Sequence, residues 1–292
     1  MRSVRFGGWL LIATFLGLAA SWIAGSIMVG GHQSSVDAAT APAKDIRIMT
    51  QDGVSIAATF RPGLNKRAPA VLLLHGVGSS RQATAQNAAW LTSLGYATLA
   101  VDFRGHGQSS VLPRTFGLRE ALDARAAFDW LKRQQHNAPV AIIGISLGGA
   151  ASLIGDAGPV PADALILQAV YPDIRQAIRN RIASRTSAGI GYLLEPLLSF
   201  QARLRFGVWP SRLSPLTALT RYPSPVLVIG GEQDRSTPPA ETRAMFAAVR
   251  GHRELWLVPS GDHAAICNLA DPSYRDRVKS FLEKTIARPV HA

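Results

Sequence analysis

The chain has 292 residues, of which 47% are hydrophobic and 17% charged, enough for a sizeable core and incompatible with global disorder. Its net charge of +12 comes with no recognised nucleic-acid-binding motif, so no nucleic-acid partner is expected. A single cysteine, Cys267, excludes an intramolecular disulfide and a cysteine-built metal site, and a packed thiol is its expected role.

Arg2 and Arg5 precede an uncharged stretch from Phe6 to Val36. Its apolar part, Gly7 to Val29, exceeds the roughly 20 residues a helix needs to cross a bilayer. Cleavable signal sequences have shorter apolar regions, of about 7–15 residues. The leading expectation is an uncleaved signal anchor that forms a transmembrane helix. A cleaved signal with a site near Ala39-Thr40-Ala41, and a buried soluble helix, are the alternatives. The arginines stay on the cytoplasmic side, which predicts an extracytoplasmic location for the remainder, periplasmic in a Gram-negative bacterium. Gly30 to Ala43, rich in small and polar residues, reads as a tether. Residues 1–43 are thus expected as anchor and tether, and residues 44–292 as one domain.

Asp45–Met49 and Val54–Phe60 flank Gln51-Asp52-Gly53 and predict a β-hairpin. Strand and helix patterns then alternate. Ala70–Leu74, Tyr96–Val101, Pro139–Ile145, Ala164–Val170, Pro225–Ile229 and Glu254–Val258 are strand candidates. Helical stretches cover Gln82–Leu94, Gly117–Gln135, Ala240–Val249 and Ser273–Ile286. Apolar strands alternating with helices predict an α/β fold, a mostly parallel sheet covered on both faces. Chemistry in such sheets sits beyond the carboxyl ends of the strands.

Residues 171–222 interrupt this alternation and are too many for a connecting loop. Ile174, Ala177, Ile178 and Ile182 recur at helical spacing, and Leu193, Leu194, Leu197 and Leu198 form a second cluster. A mostly helical cap is expected, with the leucines packing within it rather than contacting an acyl group. Its eight arginines against Asp173 and Glu195 give +6, which predicts a basic face toward solvent or anionic lipid.

The most informative stretch is Gly144-Ile145-Ser146-Leu147-Gly148. A strand precedes the serine and a helix follows, so small flanking residues force Ser146 into a tight, exposed turn. Asp234 and His263 follow at predicted strand ends, in the order serine, acid, histidine. Glu232 and Asp262 are competing carboxylates. Asp262 ranks below Asp234 because adjacent side chains seldom face each other.

These motifs, with His75-Gly76-Val77-Gly78-Ser79-Ser80 and Asp102-Phe103-Arg104-Gly105-His106-Gly107-Gln108-Ser109, resemble the α/β-hydrolase superfamily, nearest its serine aminopeptidase and monoglyceride-lipase-like branch. The resemblance spans Asp45 to Ala287 and implies an α/β-hydrolase fold with an eight-stranded sheet. It implies Ser146 as nucleophile, His263 as base and Asp234 as its acid, with backbone N–H groups of Val77 and Leu147 as the oxyanion hole. It gives His75 and His106 scaffold roles rather than metal or base roles. Asp102 precedes the serine, so it is expected to brace Arg104 instead of serving as the acid. No cofactor and no metal are expected, since no phosphate loop or zinc spacing occurs.

The leading functional expectation is a serine hydrolase of carboxylic esters, esterase or lipase-like, acting on a small-molecule or lipid-like ester. Thioester or amide hydrolysis by the same residues is the alternative within enzymes. A non-catalytic, membrane-tethered binding protein is the alternative outside them.

Overall fold

The structure, a computed structural model, describes residues 2–286 except 264 and 268, with side chains described from residue 12 onward apart from that of residue 267. The expectation for the Cys267 thiol and the side chains of Arg2 and Arg5 therefore lie outside the described residues. In chain order, α1 (Arg2–Val29) precedes β1 (Lys44–Met49), β2 (Ser55–Arg61) and β3 (Ala70–Leu74). Next come α2 (Ala85–Ser93), β4 (Ala97–Val101), α3 (Glu120–Gln134), β5 (Val140–Ile145), α4 (Leu147–Leu153) and β6 (Ala164–Gln168). The interruption holds α5 (Ile174–Ala183), α6 (Ala188–Ser199), α7 (Gln201–Phe206) and α8 (Pro215–Leu219). The chain closes with β7 (Val226–Gly231), α9 (Pro239–Ala248), β8 (Arg253–Val258) and α10 (Pro272–Thr285).

The strands form one eight-stranded sheet in the order β1-β2-β4-β3-β5-β6-β7-β8. β2 runs antiparallel to both its neighbours, and every later pairing is parallel. The central strands read as unbroken apolar runs because both faces are covered. Alternate residues serve the two faces. Leu72, Leu74 and Ile142 pack with Ala124, Phe128 and Leu131 of α3 and with Leu147 and Ala150 of α4. Val71, Leu73 and Ile143 pack with Leu91 of α2 and with Val278, Phe281 and Leu282 of α10.

α1 is long and apolar enough to cross a membrane, with a mean hydropathy of 1.8 over Ile12–Val29 and few buried side chains there. The segment after it is not the loose tether that its composition suggests. His32 N donates to Gly105 O (3.2 Å), Ser34 N to Gly107 O (2.9 Å) and Gln82 Nε2 to the Asp37 carboxylate (2.8 Å). Gly31 lets the backbone lie this close, because a Cβ there would overlap Leu112 O and Gly105 Cα.

Two side-chain expectations need correction. Asp102 does not brace Arg104. Its carboxylate accepts from Arg81 N (2.6 Å), from the Arg81 guanidinium and from Gln108 N (2.9 Å). Arg104 instead reaches α3 and the β1–β2 turn, pairing with Asp123 (2.7 Å) and Asp52 (2.6 Å). The Asp102 carboxylate is already filled by the loop beneath it, where a Cβ at Gly107 would overlap it. The leucines of the cap also differ from expectation. Leu193 is 73% exposed, Leu194 and Leu197 are exposed as well, and only Leu198 packs against the core. Ile190, Leu193, Leu194 and Leu197 share one face of α6, and no element of the described fold covers it. The inward face of the cap is α5, through Ile174 and Ile178.

Candidate active site

β5 ends at Ile145 and α4 begins at Leu147, so the whole reversal falls on Ser146, with φ 48° and ψ −107°. That backbone conformation is costly for a residue with a Cβ and persists only where the surroundings fix it. Two contacts do so. Ser146 N donates to Gln168 O on β6 (2.8 Å), and the α4 backbone lies directly on β3. A Cβ at Gly148 would overlap the Leu74 carbonyl, which is backbone and cannot rotate away. Leu147 opens α4, so its N–H belongs to the orphan donors of a helix N-terminus.

Asp234 lies just past β7 and is buried at 2% exposure. Its Oδ2 meets His263 Nδ1 at 2.7 Å, and its Oδ1 accepts from the backbone N–H of Ser236 (2.7 Å) and Thr237 (2.8 Å). Both oxygens are thus directed, and the imidazole has one ring nitrogen committed to the acid. Thr237 Oγ1 donates to Ala169 O (3.2 Å), which ties this loop to the end of β6 beside the serine. Of the competing carboxylates, Asp262 caps the next turn by accepting from Ala265 N (2.8 Å), and Glu232 is exposed.

Ser146, Leu147, Val77 and His263 line one cavity of about 330 Å³; Asp234 sits behind the histidine, outside it. Of the remaining walls, Ile174, Ile178, Arg181 and Arg185 come from the segment expected as the cap, while Met28, Phe116 and Arg114 were not foreseen. Met28 of α1, Phe116, Ile174 and Ile178 supply apolar surface, and Arg114, Arg181 and Arg185 supply charge. Among the described residues no carboxylate lines the cavity, and none of these three arginines forms a salt bridge. The orienting N–H groups of Ser236 and Thr237 did have a sequence signal: Asp234-Arg235-Ser236-Thr237 suits an aspartate that bonds its own backbone two and three residues on. Met28 had none, because its segment reads only as a membrane span.

His75 and His106 lie beneath the site, with ring centroids 5.1 Å apart. His75 Nδ1 donates to Gly76 O (2.7 Å) while its Nε2 accepts from Phe103 N (3.1 Å), which fixes a neutral tautomer. Burial pulls its pKa down to about 4, and burial together with the His75 neighbour pulls His106 down to about 3. The His75 ring joins the end of β3 to the loop after β4.

The fold agrees with the comparisons. The alpha/beta hydrolase family model matches residues 71–274, most of the chain. The chain belongs to the alpha/beta hydrolase family. It is 26% identical over 216 residues to the uncharacterized protein YqkD of Bacillus subtilis (strain 168), covering 73% of this chain and 70% of that one. It is 34% identical over 127 residues to the lysophosphatidylserine lipase ABHD12 of Gallus gallus, covering 41% of this hydrolase and 33% of that protein. The Pyrococcus furiosus esterase Pf2001 superposes with a TM-score of 0.69 at 20% identity, over 89% of this chain and 98% of the esterase, and so shares the hydrolase fold.

Proposed function

We propose that this hydrolase is a membrane-tethered serine esterase that cleaves carboxylic esters of amphiphilic substrates through an acyl-enzyme. The observation that carries the reading is the 2.7 Å contact of His263 Nδ1 with buried Asp234, on a histidine that shares its cavity with Ser146. A serine hydroxyl needs a base, and a histidine oriented by a buried carboxylate is one. In the proposed reaction Ser146 Oγ attacks the ester carbonyl carbon and its proton passes to His263 Nε2. Asp234 accepts from Nδ1–H and stabilises the imidazolium. The N–H groups of Val77 and Leu147 hold the oxyanion. Collapse breaks the bond to the alcohol, which leaves with the proton from His263. Water, deprotonated by the same histidine, then attacks the acyl-Ser146 ester and releases the acid.

Amphiphilic substrates are supported by a cavity lined both by apolar side chains and by three arginines. The lipase name of the Gallus gallus relative points the same way. α1 supplies the tether, with the catalytic domain on the extracytoplasmic side. A fluorophosphonate probe tests the nucleophile: the purified protein should label at Ser146, and Ser146→Ala should lose both labelling and turnover by orders of magnitude. Equal labelling of the alanine variant would reject Ser146. A panel of ester, thioester and peptide substrates tests the bond cleaved, and a thioester or peptide preference would replace the esterase reading.

A further inference from the structure

α1 has two separate relations to the hydrolase. Its apolar length suits a membrane, yet its last turns are fastened to the cap. Ser21 Oγ donates to Leu197 O (2.8 Å), and Gln201 Nε2 donates to Ser21 O and Oγ (3.0 Å each). Arg205 donates to Trp22 O (2.8 Å) and Ser26 Oγ (2.9 Å), and its guanidinium lies 3.8 Å over the Trp22 ring. Gly25 leaves the Gln201 amide its place, which a side chain there would push aside. The crevice left between helix and cap measures about 20 Å³, room for about one water.

A second attachment follows directly. Arg114 N donates to Val29 O (2.8 Å), and Arg114 Nη2 donates to His32 Nδ1 (2.7 Å). Met28 lies between the two attachments; it lines the cavity with Ser146 and Phe116, and it packs against the core cluster that holds Ile174 and Ile178 of the cap. A tether needs neither attachment. A fixed wall needs both.

We propose that the last turn of α1 is the acyl-side wall of the catalytic cavity, with Met28 setting the length and bulk of the acyl group admitted. Gln201 and Arg205 are its positioning residues. The proposal rests on the esterase reading for the identity of the guest. A thioether side chain is unbranched and polarizable, suited to an alkyl chain of variable shape. The anchor thereby becomes part of the substrate site, and removing it after synthesis would open one side of the cavity.

The test uses the full chain in detergent micelles with 4-nitrophenyl esters from acetate to dodecanoate. Met28→Trp should lower the dodecanoate-to-acetate ratio of kcat/KM by about tenfold or more, mainly through KM, since a filled pocket discriminates on that scale. Met28→Leu conserves volume and should restore the wild-type ratio. Gly25→Leu touches no substrate, and by displacing α1 from Gln201 it should also change the ratio. Binding of a fluorescent long-chain fatty acid reads the same wall without turnover: Met28→Trp should raise its Kd about tenfold. If the wild-type protein hydrolyses no ester, the esterase reading falls and the fatty-acid measurement still decides the wall. A wild-type chain-length profile and Kd in both Met28→Trp and Gly25→Leu overturns the proposal. So does an equal loss on every ester with an unchanged Kd.

Discussion

The Ser146 turn and the Met28 joint bound the same cavity, but the chain specifies them in different ways. At the turn a controlling contact is backbone against backbone within a few residues: a Cβ at Gly144 would overlap the backbone of Gly149, so only glycine fits there. At the joint they connect Ser21 and Trp22 to Gln201 and Arg205, about 180 residues away. None of those four residues is unusual where it stands. Local steric necessity leaves a pattern in the sequence, while a contact between two distant segments leaves only two ordinary residues.

Asp234→Asn separates the two regions most sharply. An amide can still accept from Ser236 and Thr237 N–H, so the fold should survive with a Tm within a few degrees of wild type. Ester turnover should fall by about 10³- to 10⁴-fold, because the imidazole loses the partner that fixes its tautomer. Steady-state kinetics checks this, and activity within tenfold of wild type would remove Asp234 from the proposed triad.

Gly148→Ala and Gly189→Ala make the same chemical change in the two kinds of region. The first drives a Cβ into the Leu74 carbonyl and should cost about 2–3 kcal/mol of unfolding free energy. The second places a methyl group in open space on α6 and should be neutral, or stabilising by up to about 1 kcal/mol. Denaturant unfolding measures both. Comparable costs would mean that the turn is no more constrained than the cap.

The contrast explains what the sequence made legible. The strand–helix alternation and the Ser146 turn were readable because apolar period and glycine spacing are local, and the strands lie within a few residues of where the pattern put them. Asp234 and His263 could be placed at strand ends by chain order, and the structure brings their side chains to 2.7 Å. Asp102 was misread because its true partner, Arg81, comes from another loop and no local pattern links them. The leucines of α6 were misread for a related reason. Helical spacing reveals that a helix has an apolar face, but not whether anything lies against it. Met28 illustrates the extreme case, a residue whose segment has one obvious use and also serves another.

His75 and His106 test the scaffold side of the comparison through pH. Both are held neutral in the folded protein, with pKa values near 4 and 3, whereas an unfolded histidine titrates near 6.5. Between these values the unfolded chain binds more protons than the folded one, so stability rises with pH there and is lost as pH falls. Unfolding midpoints should drop progressively from about pH 6.5 toward pH 4. Burial pushes Asp123 up to about 7, which offsets part of this drop, so a midpoint that rises as pH falls across that window would show that these rings are hydrated and not buried.

The smallest effect expected lies on the outer face of the cap, and its value is that it separates two readings of the same helical pattern. Ile178 is 5% exposed and packs on the core beside the cavity, whereas Leu193 is 73% exposed. Ile178→Ser removes a buried apolar side chain and introduces a hydroxyl, and it should cost about 3 kcal/mol. Leu193→Ser removes an apolar side chain that already faces outward and should change stability by no more than about 0.5 kcal/mol in either direction. Denaturant midpoints on the two full-length variants in the same detergent decide the matter. If Leu193→Ser costs as much as Ile178→Ser, α6 packs its leucines inward as its spacing first suggested. The cap would then present a different face to the cavity.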